Sequence, residues 1–188
     1  VATEIVEIFT EVIIAPYVSE EAKKVLMEKK NLRVLETGGL PNPRMMENSI
    51  RRIAGGFLLQ DGDTGKVEEE KLKIVTERHP NDRELKDLLI AYRIAKHVKS
   101  NAIVLAKNKQ TVGIGAGQMS RFDSTRMAIQ KYKDTFNKKN FVCASDAFFP
   151  FTDSLKLLIE LKCDGIIQPS GSKNDEKIIN FAQKNNTP

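Results

Sequence analysis

The sequence predicts an α/β protein, a layered sandwich around a mixed sheet. Two observations carry that prediction. From Asn101 onward, short apolar runs alternate with helical stretches in the order ββαβαβα, the pattern of a sheet covered by helices. The first two of those strands flank Lys107-Asn108-Lys109-Gln110, whose residues make a hairpin turn. With 40% apolar and 29% charged residues in 188, the chain can bury a core.

The elements follow in order. Residues 5–15 read as a short helix or extended lead running into a buried strand, 11–15, stopped by Pro16. Ser19 caps a helix over 20–29 with Ala22, Val25 and Leu26 on its apolar face. Residues 32–36 alternate like a strand, and 37–43 form a loop. Residues 50–60 read as one strand with Gly55-Gly56 as a bulge or a close backbone approach, followed by a turn at 61–65 and a polar, peripheral stretch at 66–78. Asn81 or Asp82 starts a helix through Val98, with Leu85, Leu88, Leu89, Tyr92 and Ala95 at helical spacing. Strands at 102–106 and 111–114 precede a helix over 124–136. Strand 141–144, helix 153–162, strand 165–168 and a last helix over 173–184 complete the chain.

Charge and composition exclude several classes. The 30 Lys+Arg exceed the 25 Asp+Glu by five, but the bases are scattered among acids, as on solvated helix faces. The densest group, Lys131, Lys133, Lys138 and Lys139, has few aromatics interleaved, so no nucleic-acid partner is expected. The apolar runs fall far short of the roughly 20 residues of a membrane span, and no secretory signal opens the chain. Cys143 and Cys163 suit a reducing, cytoplasmic compartment. Val1 is no initiator methionine and the last helix ends abruptly, so residues are expected beyond both ends.

Three constellations invite chemistry. Gly113-Ile114-Gly115-Ala116-Gly117 lies between strand and helix, but its spacing is not that of a dinucleotide loop. It reads either as a close approach to a ligand or as a tight turn. His79, His97, Cys143 and Cys163 are solitary, and no H-x-E with P-C-x-x-C exists, so a zinc deaminase site is absent. His97 is placed in the last turn of a helix, a structural position. Phe148-Phe149-Pro150-Phe151 follows a strand at a sheet's end, where α/β folds bind ligands. It is either a wall for a flat ligand or a hydrophobic hinge packed on the core.

Four motifs, in this order, resemble one family. They are Ser100-Asn101-Ala102-Ile103-Val104-Leu105-Ala106-Lys107, Gly113 to Arg121, Ser145-Asp146-Ala147-Phe148-Phe149-Pro150-Phe151 and Ile166-Ile167-Gln168-Pro169-Ser170-Gly171-Ser172. The family is AICAR formyltransferase/IMP cyclohydrolase, and residues 11–16 and 51–61 are similar to earlier parts of its transformylase region. The resemblance implies a cytidine deaminase-like α/β/α fold without zinc, with 1–99 a connecting α/β region and 100–188 the core. It implies formyl transfer from 10-formyltetrahydrofolate to the amine of AICAR ribotide, in a dimer. By resemblance, Asn101 is catalytic and bonds the reacting carboxamide and formyl region. Arg121 contacts the ribotide, Phe148 and Pro150 line the base and folate pocket, Asp153 binds the pterin, and Glu11 is a further ribotide contact. Asp146 and Ser100 fall near a monovalent cation, K+. A Lys-His catalytic pair and the IMP cyclohydrolase domain are expected before Val1, and an Arg-His-Phe stretch after Pro188. The chain by itself is therefore expected to be inactive. Two readings follow: a transferase portion holding part of its site, or a catalytically silent scaffold and dimerisation module.

Overall fold

The computed structural model describes residues 1–40, 42, 48–136 and 140–188. Pro41 and Pro43 of the expected loop, and Lys138 and Lys139 of the basic cluster, lie outside the described residues. The chain divides into two compact units, Val1–Gly65 and Lys66–Pro188. The join expected at 99/100 falls inside the second.

In the first unit, helices α1 (Ala2–Val6) and α2 (Glu20–Leu26) pack together. Ser19 Oγ accepts the Ala22 N–H at 3.2 Å, satisfying a donor that the first helical turn leaves free. Strand β1 (Val12–Ala15) pairs in parallel with β2 (Arg33–Glu36). The expectation of a buried strand here is corrected, since Ile14 is 69% exposed. Both members of a two-stranded pair are edges, and among the described residues of this unit the β1 face carrying Ile14 stays open. The single strand expected at 50–60 is also corrected: it is a hairpin of β3 (Ser49–Ile53) and β4 (Gly56–Gln60), with Ile53 opposite Gly56. Gly55 takes φ +81°, which turns the chain between two strands instead of bulging one.

In the second unit, α3 (Asp82–Ala95) starts with a reciprocal cap. Asn81 Oδ1 accepts the Glu84 N–H and Glu84 Oε2 accepts the Asn81 N–H, each at 3.0 Å. The helix ends at Ala95, so His97 lies beyond it, exposed, and not in its last turn. The sheet comprises β5 (Ile103–Lys107), β6 (Gln110–Gly115), β7 (Phe141–Ser145) and β8 (Cys163–Ile167) in the order β6-β5-β7-β8. β5 runs antiparallel to both neighbours and β7 runs parallel to β8, which makes the sheet mixed. At the β5–β6 turn, Asn108 and Lys109 adopt φ +50° and +62°. Asp87, 1% exposed on α3, accepts both of their N–H groups at 2.9 and 2.7 Å.

Alternate strand residues divide the core into two layers. Val104, Ala106, Val142 and Ala144 meet Leu88, Ala91 and Ala95 of α3. Ile103, Leu105, Phe141 and Cys143 face the other way, against α4 (Arg121–Thr135), α5 (Asp153–Glu160) and α6 (Asp175–Lys184). The unit is therefore an α/β/α arrangement. Helix α4 lies directly on β6. A Cβ on Gly113 would sit 2.3 Å from the Ala128 carbonyl oxygen, and one on Gly115 would sit 1.8 Å from that of Ser124. That settles what these two glycines of the G-x-G-x-G run do: they let the helix backbone touch the strand.

Candidate functional site

Sheet pairing brings three distant segments together. Ile103 of β5 faces Ser145 of β7, and the Asp146 N–H donates to the Ala102 carbonyl at 3.2 Å. On the other side of β5, the Gly117 N–H donates to the Lys99 carbonyl at 2.9 Å. Residues 100–102, 117–121 and 145–146 thus meet where β5 begins and β7 ends. Ser120 caps α4 by accepting the Asp123 N–H at 3.0 Å, so Arg121 stands in the first turn of that helix. The helix begins at Arg121, three residues before the position expected.

Arg121 is the hub. Its Nη2 donates to Asn101 Oδ1 at 3.1 Å, and its Nη1 donates to Ser145 Oγ at 3.0 Å and to Asp146 Oδ1. Asn101 is held at its other end as well, with Nδ2 donating to the Gln118 carbonyl at 2.8 Å. Ser124 Oγ donates to the Asn101 carbonyl at 2.7 Å. The Ser100–Asn101 peptide is cis. Arg121, with a side chain 9% exposed, faces inward and is not a free surface cation.

Burial works against a charge on Asp146. Hydrogen bonds from Ser100, Arg121 and the Ala102 N–H, with the guanidinium charge, outweigh it and hold the carboxyl below its ordinary range. The site therefore contains an ionised carboxylate neutralised by an adjacent guanidinium, with a neutral amide fixed beside them.

The phenylalanine cluster divides its labour. Phe149 is fully buried among Leu155 and Leu158, as the hinge reading expects. Phe148 and Phe151 are 39% and 64% exposed, available as the wall that the other reading expects. Pro150 lies between them, half-buried. Asp153 opens α5, exposed, and its Oδ1 accepts the Ser154 N–H at 2.7 Å. Glu11 belongs to the first unit, exposed, and its carbonyl accepts the Arg33 N–H at 3.0 Å. Among the described residues, no three His, Cys, Asp or Glu side chains are grouped as a metal would need. No helix among them is long and apolar enough to cross a membrane. A separate apolar cleft of about 300 Å³, walled by Leu72, Ile74, Val75, Leu85, Leu88 and Ile167, contains none of these site residues.

Sequence reasoning did not single out Gln118, Ser124, Ser145, Gln168 or Asn174. The first three bond to Asn101 or Arg121. The Phe149 N–H donates to Gln168 Oε1 at 2.7 Å, and Asn174 Nδ2 donates to the Pro150 carbonyl at 2.8 Å. Gln168 stands inside a motif already noticed, immediately after a strand, and that position was the available signal.

A family model described as AICARFT/IMPCHase bienzyme matches residues 1–131, which include Glu11, Ser100, Asn101 and Arg121. Curated relatives named "Bifunctional purine biosynthesis protein PurH" match nearly the whole chain. That of Agrobacterium fabrum is 48% identical across 98% of this chain, and that of Paracoccus denitrificans 49% across 97%. That of Cereibacter sphaeroides is 50% identical across 97%. The chain spans 36% of the length of each of these relatives.

Proposed function

The chain belongs to the AICARFT/IMPCHase bienzyme family, and from that premise we propose that it supplies part of the formyl-transfer site of a bifunctional enzyme of purine biosynthesis. The protein containing it would move a formyl group from 10-formyltetrahydrofolate to the 5-amino group of AICAR ribotide, giving FAICAR. A separate domain would then cyclise FAICAR to IMP. The fold in this reading is the cytidine deaminase-like one, with residues 1–188 the C-terminal portion of the transformylase. The setting is cytoplasmic and the enzyme a homodimer.

The observation that carries the reading is the two-ended hold on Asn101. One lone pair of Oδ1 is taken by Arg121 and one Nδ2 hydrogen by Gln118. An amide has two of each. One acceptor site and one donor thus remain in a fixed plane, charge-assisted by the adjacent guanidinium. The amine of AICAR is a weak nucleophile, so positioning and support of the developing oxyanion matter most. In the step, the amine nitrogen bonds the formyl carbon and the bond from that carbon to folate N10 breaks. The proton lost by the amine ends on N10. Asn101 orients the reacting carboxamide and donates to the formyl oxygen as its charge grows. Phe148 and Pro150 form the wall for base and folate, Asp153 accepts from the pterin amino group, and Arg121, which also holds Asn101, serves the ribotide. Proton transfer belongs to the Lys-His pair that the resemblance places outside residues 1–188.

The K+ expected beside Ser100 and Asp146 gets no role. Asp146 is already paired with Arg121, which offsets the carboxylate charge that would favour a cation there, while the Ser100 hydroxyl, donating to Asp146, keeps its oxygen lone pairs.

Calorimetric titration of the full-length protein with AICAR ribotide tests the reading. Saturable binding that weakens about tenfold or more in Asn101→Ala is expected, from loss of a charge-assisted contact. Equal affinity in both proteins would overturn the assignment of Asn101.

A further inference from the structure

We propose that Gln168 and Asn174 are positioning residues that hold the Phe148-Phe149-Pro150-Phe151 wall in register for the folate. This inference rests on the formyl-transfer reading above. β7 and β8 are parallel, so the loops leaving them, 146–152 and 168–174, emerge side by side. Two side-chain amides of the second loop grip backbone groups of two neighbouring residues in the first. Gln168 Oε1 takes the Phe149 N–H at 2.7 Å, and Asn174 Nδ2 reaches the Pro150 carbonyl at 2.8 Å. Neither of those backbone groups belongs to a helix or strand. The two amides therefore satisfy what water would otherwise compete for.

The geometry gives the grip a direction. The Phe149 ring is anchored in the core, 0% exposed, and fixes the middle of the loop. On either side, Phe148 and Phe151 project outward, and their orientation depends on the 148–149 and 150–151 peptide planes. Those are the planes that the two amides hold. Asn174 is itself placed by the second loop, its N–H donating to Ser172 Oγ at 3.1 Å. Asp175 Oδ2 accepts the Gly171 N–H at 2.7 Å, where Gly171 takes φ +118°. The second loop is thus braced internally and can act as a support. A wall held this way meets a flat pteridine without first ordering itself, so its loss is felt as weaker folate engagement.

The test uses the full-length protein with Gln168→Leu, Gln168→Glu and Asn174→Ala. Hydrogen exchange at the Phe149 amide reports the grip directly, and steady-state kinetics report its consequence. Gln168→Leu is expected to raise Phe149 exchange about tenfold and the KM for 10-formyltetrahydrofolate about tenfold, with kcat changed less than about threefold. Gln168→Glu keeps the acceptor oxygen and is expected to restore both. Asn174→Ala is expected to raise the folate KM with Phe149 exchange less affected. Unchanged Phe149 exchange in Gln168→Leu would show that the grip is absent. Raised exchange with an unchanged folate KM would show that it does not set the wall. Either result overturns the proposal while an active wild type leaves the transferase reading intact. A wild-type protein that transfers no formyl group would overturn the reading itself, and this proposal with it.

Discussion

Gly115→Ala should be among the most damaging single-methyl changes in the second unit. The added Cβ would stand 1.8 Å from the Ser124 carbonyl oxygen and 2.9 Å from its Cα, where ordinary contact begins at 3.4 Å. Both are backbone atoms of α4, so no side chain can swing aside. The helix must retreat from β6 by well over an ångström. That withdraws Ala128, Ile129 and Tyr132 from the cluster they share with Ile103, Leu105 and Phe141. Overpacking alone costs about 1–3 kcal/mol, and opening the interface adds to it, so a loss of about 3 kcal/mol or more is expected. Urea denaturation followed by circular dichroism reads this as a midpoint lower by about 1–1.5 M, for a slope near 2–3 kcal/mol per M. Gly39→Ala is the control, since its Cβ meets nothing within 4 Å, and it should leave the midpoint in place. A Gly115→Ala midpoint within about 0.3 M of wild type would refute the reasoning, because α4 and β6 would then not be in backbone contact. The same retreat moves Arg121 at the head of α4, so ribotide affinity should fall together with stability.

Phe149→Ala should cost about 3–5 kcal/mol in the same denaturation experiment, whereas the more exposed Phe148→Ala should cost under about 1 kcal/mol. Burial pushes the Cys163 thiol up to about 12 and the Cys143 thiol well above its usual value, so neither should react with a disulfide reagent until the chain unfolds. Rapid modification of the native protein would contradict that burial. Asp146 has its carboxyl held below the ordinary 3.8, so its ionised form stabilises the fold above that value. The benefit disappears as pH falls through the depressed pKa. Asp146→Asn should therefore be less stable than wild type above about pH 4, and the two should converge in stronger acid. A constant difference at all pH values would exclude the Arg121–Asp146 pair as its source.

What the sequence reveals, and what it hides, follows from the range of the interactions. Helix α3 is legible because its cap is local, Asn81 and Glu84 being three residues apart, and its apolar residues repeat with the helical period. The β5–β6 hairpin is legible from Asn108 and Lys109 for the same reason, although Asp87, which holds the turn, acts from 21 residues away. The hairpin at 49–60 looks like one strand in the sequence because Gly-Gly serves a bulge or a turn equally well, and only the pairing of Ile53 with Gly56 decides. Gly113 and Gly115 could not be assigned from spacing, since what they accommodate is a helix that begins later in the chain. The site shows the same division. Asn101, Arg121 and Asp146 stand out through the motifs of a family, but their mutual bonds span 20 and 25 residues and depend on sheet order. Gln168 and Asn174 escaped notice because side-chain-to-backbone bonds between loops leave no periodic trace.

The most direct test of the transferase reading is steady-state formyl transfer from 10-formyltetrahydrofolate to AICAR, measured on the full-length protein and its Asn101→Ala variant with unfolding midpoints checked alongside. Loss of the charge-assisted amide at the reacting oxygen predicts a kcat lower by about 100-fold in a variant that still folds and binds folate. A folded variant that turns over at the wild-type rate would contradict the placement of the reaction at Asn101.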